Sequence, residues 1–376
     1  MRVGRTWPPP GSHGRYRFGW PESDVIRGGR PGEPYACAVP HLPRSAVLTA
    51  ATVAVTALVA GAFALSGGDD DPAPAAPAGA TVRLDRPGQL LFRQAGTGPT
   101  AGRLAAVPLS GPPGAPAVAD PRARTITGLP CVRVHAAAGA AVCLTVERKA
   151  VAQTYVELLD GPTRRTHLFP IEGAPSRAQV SASGRMISWT AFVGGHNYRS
   201  KDLSTRTGVF DRRTGRLWSD LEKFKLMRDG RRDWSADLNY WGVTFTRDDD
   251  RFYATARTKG TTYLVEGSVS TRTMRTLRTN LECPSISPDG GRLVFKKATG
   301  DPARPWRLHV LDLRTMRETP LAEPGSVDDQ AVWIDGRTVA YGRVRGSTTD
   351  IWTVPADGSG APRMLLDNAF SPAAIH

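Results

Sequence analysis

Glu282, Asp328 and Trp241 hold one register position in a repeated pattern, and Asp237, Asn239, Asp329 and Asn368 fall close to that position. Carboxylates and amides gathered at one spot on an otherwise basic surface would hold a cation or a basic peptide segment. The alternative is loop capping, because Asp and Asn bond readily to the backbone of their own turns. Either reading depends on an architecture that brings residues so far apart in sequence together.

A second pair with chemistry is Cys131 and Cys143, which sit symmetrically about Ala137 in CVRVHAAAGAAVC. On a hairpin they would face each other across neighbouring strands, within disulfide reach, and an oxidising compartment would form the bond. The alternative is two small buried residues. Cys283 reads as a buried thiol on an inner strand. No C-x-x-C or clustered Cys/His spacing points to zinc. His135, His167, His196, His309 and His376 are scattered. There is no G-x-S-x-G elbow, P-loop or dinucleotide fingerprint. Catalytic residues, metal and cofactor are therefore assigned as none, and the chain is expected not to be an enzyme.

The elements that must position these residues come from a repeat. Ser287-Pro-Asp-Gly-Gly-Arg-Leu-Val-Phe295 aligns without gaps on Trp333–Tyr341, Thr246–Ala254 and Ser181–Trp189, at shifts of 46, 41 and 106. Each copy reads as strand, tight turn, strand: Pro presets φ, Asp caps the turn and Gly accepts positive φ. A second β pair follows each copy, as in Leu308–Leu313 running to Thr319–Leu321. Four strands per unit at a period of 40 to 50 residues define a propeller blade. Two further blades cover Cys131–Phe169 and Gln89–Val118, the first-mentioned without the Pro-Asp-Gly turn and the other without an inner strand. Ser371–His376 matches Cys283–Pro288 and supplies that strand. Residues 81–376 are thus predicted to form an all-β, six-bladed β-propeller whose C-terminal strand closes the ring and removes the open sheet edge. Trp189, Trp333 and Trp352 are expected to pack between blades.

The S-P-D-G-x-x-[LI]-x-[FY] repeat resembles the WD40-like β-propeller repeats of the TolB family. The chain is also similar to membrane-anchored TolB-like proteins of actinomycetes. The resemblance implies a propeller over residues 81–376, and propellers serve as binding modules and as enzymes. The domain that TolB carries before its propeller has no counterpart here.

What precedes the propeller points to a membrane. Residues 1–44 carry seven Arg against Glu22, Asp24 and Glu33, include Cys37, and lack apolar periodicity, so they read as a disordered basic tail. Ser45–Ser66 contains no charged residue and is long enough as a helix, roughly 30 Å, to span a bilayer once. Arg44 before it and Asp69–Asp71 after it place the tail in the cytoplasm and the propeller outside. The alternative is secretion after cleavage near Ala64, where Ala62-Phe63-Ala64 forms an A-x-A site. Residues 67–80 form a Pro/Ala linker. The net charge of +14 favours anionic surroundings. Two insertions associated with the Trp189 blade, Gly194–Thr207 and Phe224–Trp234, are basic with interspersed aromatics and fit an anionic cell-wall polymer. Nucleic acid is not expected, as no recognised binding module is present. The expected function is an envelope scaffold that binds a ligand or an envelope or secreted protein. The alternative is a metal-dependent propeller hydrolase of lactonase type.

Overall fold

The computed structural model describes residues 80–111, 117–148, 150–194 and 203–376. The tail with Cys37, the spanning segment 45–66, almost all of the linker and residues 195–202 of the first insertion lie outside the described residues. Among the described residues no helix is long and apolar enough to cross a membrane.

The strands form six sheets, one per blade. Blade 5 shows how the sequence builds one. Its strands Glu282–Ile286, Arg292–Ala298, Trp306–Asp312 and Glu318–Pro320 lie side by side in chain order. Between the first two, the Gly290 amide donates to the Ser287 carbonyl at 2.8 Å with Gly290 at φ +78°. Asp289 accepts from the Gly291 amide at 3.0 Å, so its carboxylate shapes the turn. Blade 4 lacks the glycine, and Asp249 takes the same left-handed conformation at φ +60°, which Asp tolerates better than most residues.

The ring closes through its two ends. Ala369–Ile375 pairs antiparallel with Gln89–Gln94, from Gln89 opposite Ile375 to Gln94 opposite Ala369. It is therefore the inner strand of blade 1, as the repeat predicts. Its Ser371 hydroxyl also accepts from the Val134 amide of blade 2 at 3.1 Å.

The core sits between blades. Six apolar clusters bridge the six blade interfaces. Leu91 and Leu104 meet Cys143 and Ala141 between blades 1 and 2. Trp189 and Ile187 meet Val142 and Leu158 between blades 2 and 3, with Phe169 edge-on to Trp189 at 5.2 Å. Trp333 and Tyr341 meet Val294 and Leu308 between blades 5 and 6. Alternating strand residues face opposite neighbours, so each sheet buries both faces.

Two expectations are corrected. The Cys131–Cys143 disulfide is present, with Cα atoms 5.6 Å apart, but the cysteines are not directly opposite. The hairpin turns at Ala138 and Gly139, both with positive φ, so Cys143 faces Val134 and Cys131 reaches it from before the strand. Phe224–Trp234 is not an outgrowth of the Trp189 blade. Lys225–Arg228 runs parallel to Thr273–Thr279 and pairs with Arg231–Asp233, extending blade 4 to six strands. The cause is tertiary packing: Leu221, Phe224 and Leu226 are buried in the cluster between blades 3 and 4, which draws the segment onto the next sheet.

Candidate functional site: the two mouths of the central channel

Six inner strands line the channel. We call the end where they begin the upper mouth and the end where they run into their turns the lower mouth. Near the upper mouth three of them bulge at equivalent positions. Gly242, Cys283 and Ser371 have φ of +64°, +50° and +55°, and the pairing register slips there in each case. Adjacent bulges nest: a Cβ on Gly242 would lie 2.8 Å from the Cys283 Cα, so only glycine fits.

Charged side chains gather at the level of these bulges. Lys296, on the second strand of blade 5, is fully buried and pairs with the Asp328 carboxylate. Its ammonium also lies 4.3 Å from the centroid of the Trp306 ring. Burial works to lower the Lys296 pKa, but Asp328 holds it above its usual value. Arg177 from blade 3 comes within 3.8 Å of Asp328. Burial opposes the charge on Asp328, and Lys296 and Arg177 outweigh it and hold the carboxyl below the usual range. Arg133 from blade 2 donates to Asp329 at 2.8 Å, and the other oxygen of Asp329 takes the Gly342 amide at 2.9 Å. Glu282 is 2% exposed, and its Oε2 is buried with no hydrogen-bond partner among the described residues. Burial pushes its pKa up to about 7 and Asp328 adds to the shift, against the opposing pull of Lys296, Arg257 and Arg177.

Below this charge layer side chains of three blades meet across the channel. The Gln330 amide of blade 6 donates to Gln179 of blade 3 at 3.3 Å, and Gln179 reaches Thr244 of blade 4 at 3.4 Å. Beneath lies a cavity of about 100 Å³ to which all six blades contribute, among them His135, Phe245, Ile286, Trp333 and His376. His135 Nδ1 accepts from the Val180 amide at 3.1 Å. Burial pushes that imidazole down to about 4, with His376 adding to the shift.

Of the seven predicted mouth residues, Glu282, Asp328 and Asp329 come together. Each of the other four is held in contacts of its own. Asp237 accepts from Thr258 Oγ1 at 2.9 Å. Asn239 accepts from the Thr205 amide at 2.8 Å. Trp241 is fully buried beside Leu203, Cys283 and Trp306. Asn368 accepts from Thr348 Oγ1 at 3.1 Å, and its amide donates to Asp350 at 2.9 Å. At the mouth expected to hold a cation or a basic peptide segment, the carboxylates are set among cations. Arg133, Arg177 and Lys296 already supply positive charge there, and sequence reading missed them. Arg177 and Asp329 both stand in register with Cys283 at the repeat shifts of 106 and 46. Carrying those shifts one residue further would have found Arg177. Lys296 gives no such signal, because the other blades hold Thr190, Thr255 and Gly342 in its place. Among the described residues no three His, Cys, Asp or Glu side chains gather as a metal-ligand set, so the lactonase-type alternative finds no ligand set among them.

No protein-family description matches the chain, and no curated protein matches it. Solved structures do. TolB from Acinetobacter baumannii is 15% identical, with 77% of this chain and 67% of that chain covered at a TM-score of 0.51. A puromycin-hydrolyzing peptidase from Mycobacterium tuberculosis is 14% identical, over 75% of this chain and 45% of that one, at a TM-score of 0.40. An oligogalacturonate lyase in complex with manganese is 9% identical, over 70% and 76%, at a TM-score of 0.43. At such identities the likeness is one of fold: this is a six-bladed propeller of TolB-like architecture. The neighbours correct the expectation that the chain is not an enzyme. They include a peptidase and a lyase, so the propeller does not assign the chain to non-enzymes.

Proposed function

We propose that this chain is a binding scaffold of the cell envelope, anchored through residues 45–66, whose propeller engages an envelope or secreted protein at the upper mouth. The observation that carries the reading is the buried Glu282 oxygen, without a hydrogen-bond partner among the described residues, in a ring of charges drawn from four blades above the contact of Gln179 with Gln330. A polar group with no partner in a buried site is costly, and a donor from a bound segment would satisfy it. The matched charges around it suit a polar peptide segment better than a bare cation. Asp328, whose side chain is 44% exposed, is the accessible member.

The test uses the full chain in native membranes, with a photo-crosslinking residue at position 328 or at the outer-face position Asp357. One discrete adduct from position 328, absent from 357, and lost when Lys296→Met disturbs the mouth, is the expected result. Equal adducts from both positions would overturn the reading. Intact mass of the membrane-associated chain tests the anchor separately: loss of residues 1–64 removes it.

A further inference from the structure

The hairpin that blade 4 acquires creates a site far from the channel in kind and chemistry. Arg228, Asp229, Arg231, Arg232, Trp234 and Lys259, with Asp233 and Ser235, border an open cleft of about 820 Å³. Trp234 is 74% exposed, the most exposed aromatic among the large hydrophobic side chains. The Arg232 guanidinium stacks on its ring, 3.4 Å from the centroid. Of the two carboxylates in the lining, Asp229 is exposed and offsets one of these cations, whereas Asp233 does not reach the surface. It is buried, holds Arg228 at 2.9 Å, and accepts from the Ser235 amide at 2.9 Å. Arg231, Arg232 and Lys259 are exposed and form no ion pair among the described residues. Lys225 and Arg272, joined through a backbone hydrogen bond of 2.9 Å, continue the positive edge.

Charge on a short edge strand has an ordinary use, since it discourages pairing with another sheet. That use calls for cations and gives no reason for an exposed indole between them. An indole left in water is an apolar, flat surface with a polar tip. Unpaired guanidinium groups bind carboxylate or phosphate through two parallel hydrogen bonds. A ligand that offers a flat C–H face and regularly spaced anionic groups would use both. A sugar ring provides the face, and a carboxylate or phosphate on each sugar provides the charge.

We infer that this cleft binds an anionic polysaccharide, with Trp234 stacking on a sugar ring and Arg231, Arg232 and Lys259 taking its acidic groups. The site is independent of the upper mouth. An open groove at the surface accommodates a long polymer, whereas the channel is crossed by the contact of Gln179 with Gln330.

The test measures binding of the full chain, in detergent, to four immobilised polymers: alginate, neutral dextran, polyphosphate and single-stranded polyuridylate. Alginate should bind and dextran should not. Trp234→Ala should weaken alginate binding about tenfold and leave polyphosphate unchanged. Arg231→Ala combined with Arg232→Ala should weaken both and flatten the dependence on salt. These side chains are exposed, so an unchanged thermal midpoint confirms that each variant is folded. Alginate binding insensitive to Trp234→Ala overturns the inference. So does polyphosphate or polyuridylate binding as tight as alginate, and so does an absence of alginate binding at low salt.

Discussion

The two mouths of the channel are built from the same six strands and differ in almost every physical respect. The upper mouth collects Arg133, Arg177, Lys296, Glu282, Asp328 and Asp329, with the carboxylates set among cations. The lower mouth collects Phe245, Ile286, Trp333 and two imidazoles that burial disfavours as cations. The boundary between them is a single layer, the contact of Gln179 with Gln330. The contrast teaches that position along the inner strand, more than blade identity, sets the chemistry. Residues level with the bulges, among them Arg177, Glu282 and Asp329, meet across the ring as charges, and those three positions beyond Cys283 and its counterparts, Val180, Phe245, Ile286 and Val332, meet as apolar walls.

The strand that serves both ends gives the largest expected effect. Ala369–Ile375 brings Ser371 to the bulge layer and Ala374 and His376 to the lower cavity. Deleting residues 369–376 removes the partner of Gln89–Gln94 and opens the ring. Lost burial of Ile375 and three alanines, together with five paired residues, should cost more than about 5 kcal/mol. Denaturant unfolding of the full chain reads this out, and an unchanged midpoint would rule out closure by this strand.

A smaller effect separates the mouths directly. Asp329→Ala strips Arg133 and the Gly342 amide of their partner in a buried setting, and breaking such a pair costs about 3–5 kcal/mol. At the other end Arg247 is exposed and donates to the Pro288 carbonyl, so Arg247→Ala should stay within about 0.5 kcal/mol. Equal losses in the two variants would erase the contrast.

These residues also show what the chain displayed before folding. The blade count and the closing strand were legible, because Ser181, Thr246, Ser287 and Trp333 sit at fixed shifts and Ser371–His376 repeats an inner strand. Glu282, Asp328 and Asp329 were legible for the same reason. Their partners were not. Lys296 comes from a second strand, where its blade-to-blade counterparts are Thr or Gly, and a repeat reveals only what it repeats. The Lys225–Asp233 hairpin was misplaced because its allegiance is set by Leu221, Phe224 and Leu226 entering a cluster formed by two blades. Such a long-range preference leaves no local pattern. Asn239 and Asn368 show in sequence only an amide near the mouth; that Asn239 accepts from Thr205 and Asn368 from Thr348 depends on neighbouring strands that the spacing does not reveal.

The finest test of the contrast is its dependence on pH, where the two mouths carry opposite signs. Glu282 moves from an ordinary 4.5 up to about 7 on folding. Its contribution is fully present below 4.5 and is lost as pH rises through 7, where a charged carboxylate must stay buried. His135 moves from 6.5 down to about 4. Its contribution is fully present above 6.5 and is lost as pH falls through 4, where the unfolded chain takes up a proton that the folded chain refuses. Each shift is worth on the order of 2 kcal/mol once solvent access is allowed for. The windows overlap, so between pH 4 and 7 the two largely offset. Glu222, also raised to about 7, adds to the Glu282 trend away from the channel, so the informative quantity is each variant's curve minus the parent's. Glu282→Gln should gain about 2 kcal/mol at pH 8 and little at pH 4.5. His135→Asn, which keeps an acceptor near the Val180 amide, should gain at pH 4.5 and little at pH 8. Denaturant midpoints across that range would show difference curves of opposite slope. Parallel curves would mean that the mouths do not differ in the way their groups are buried.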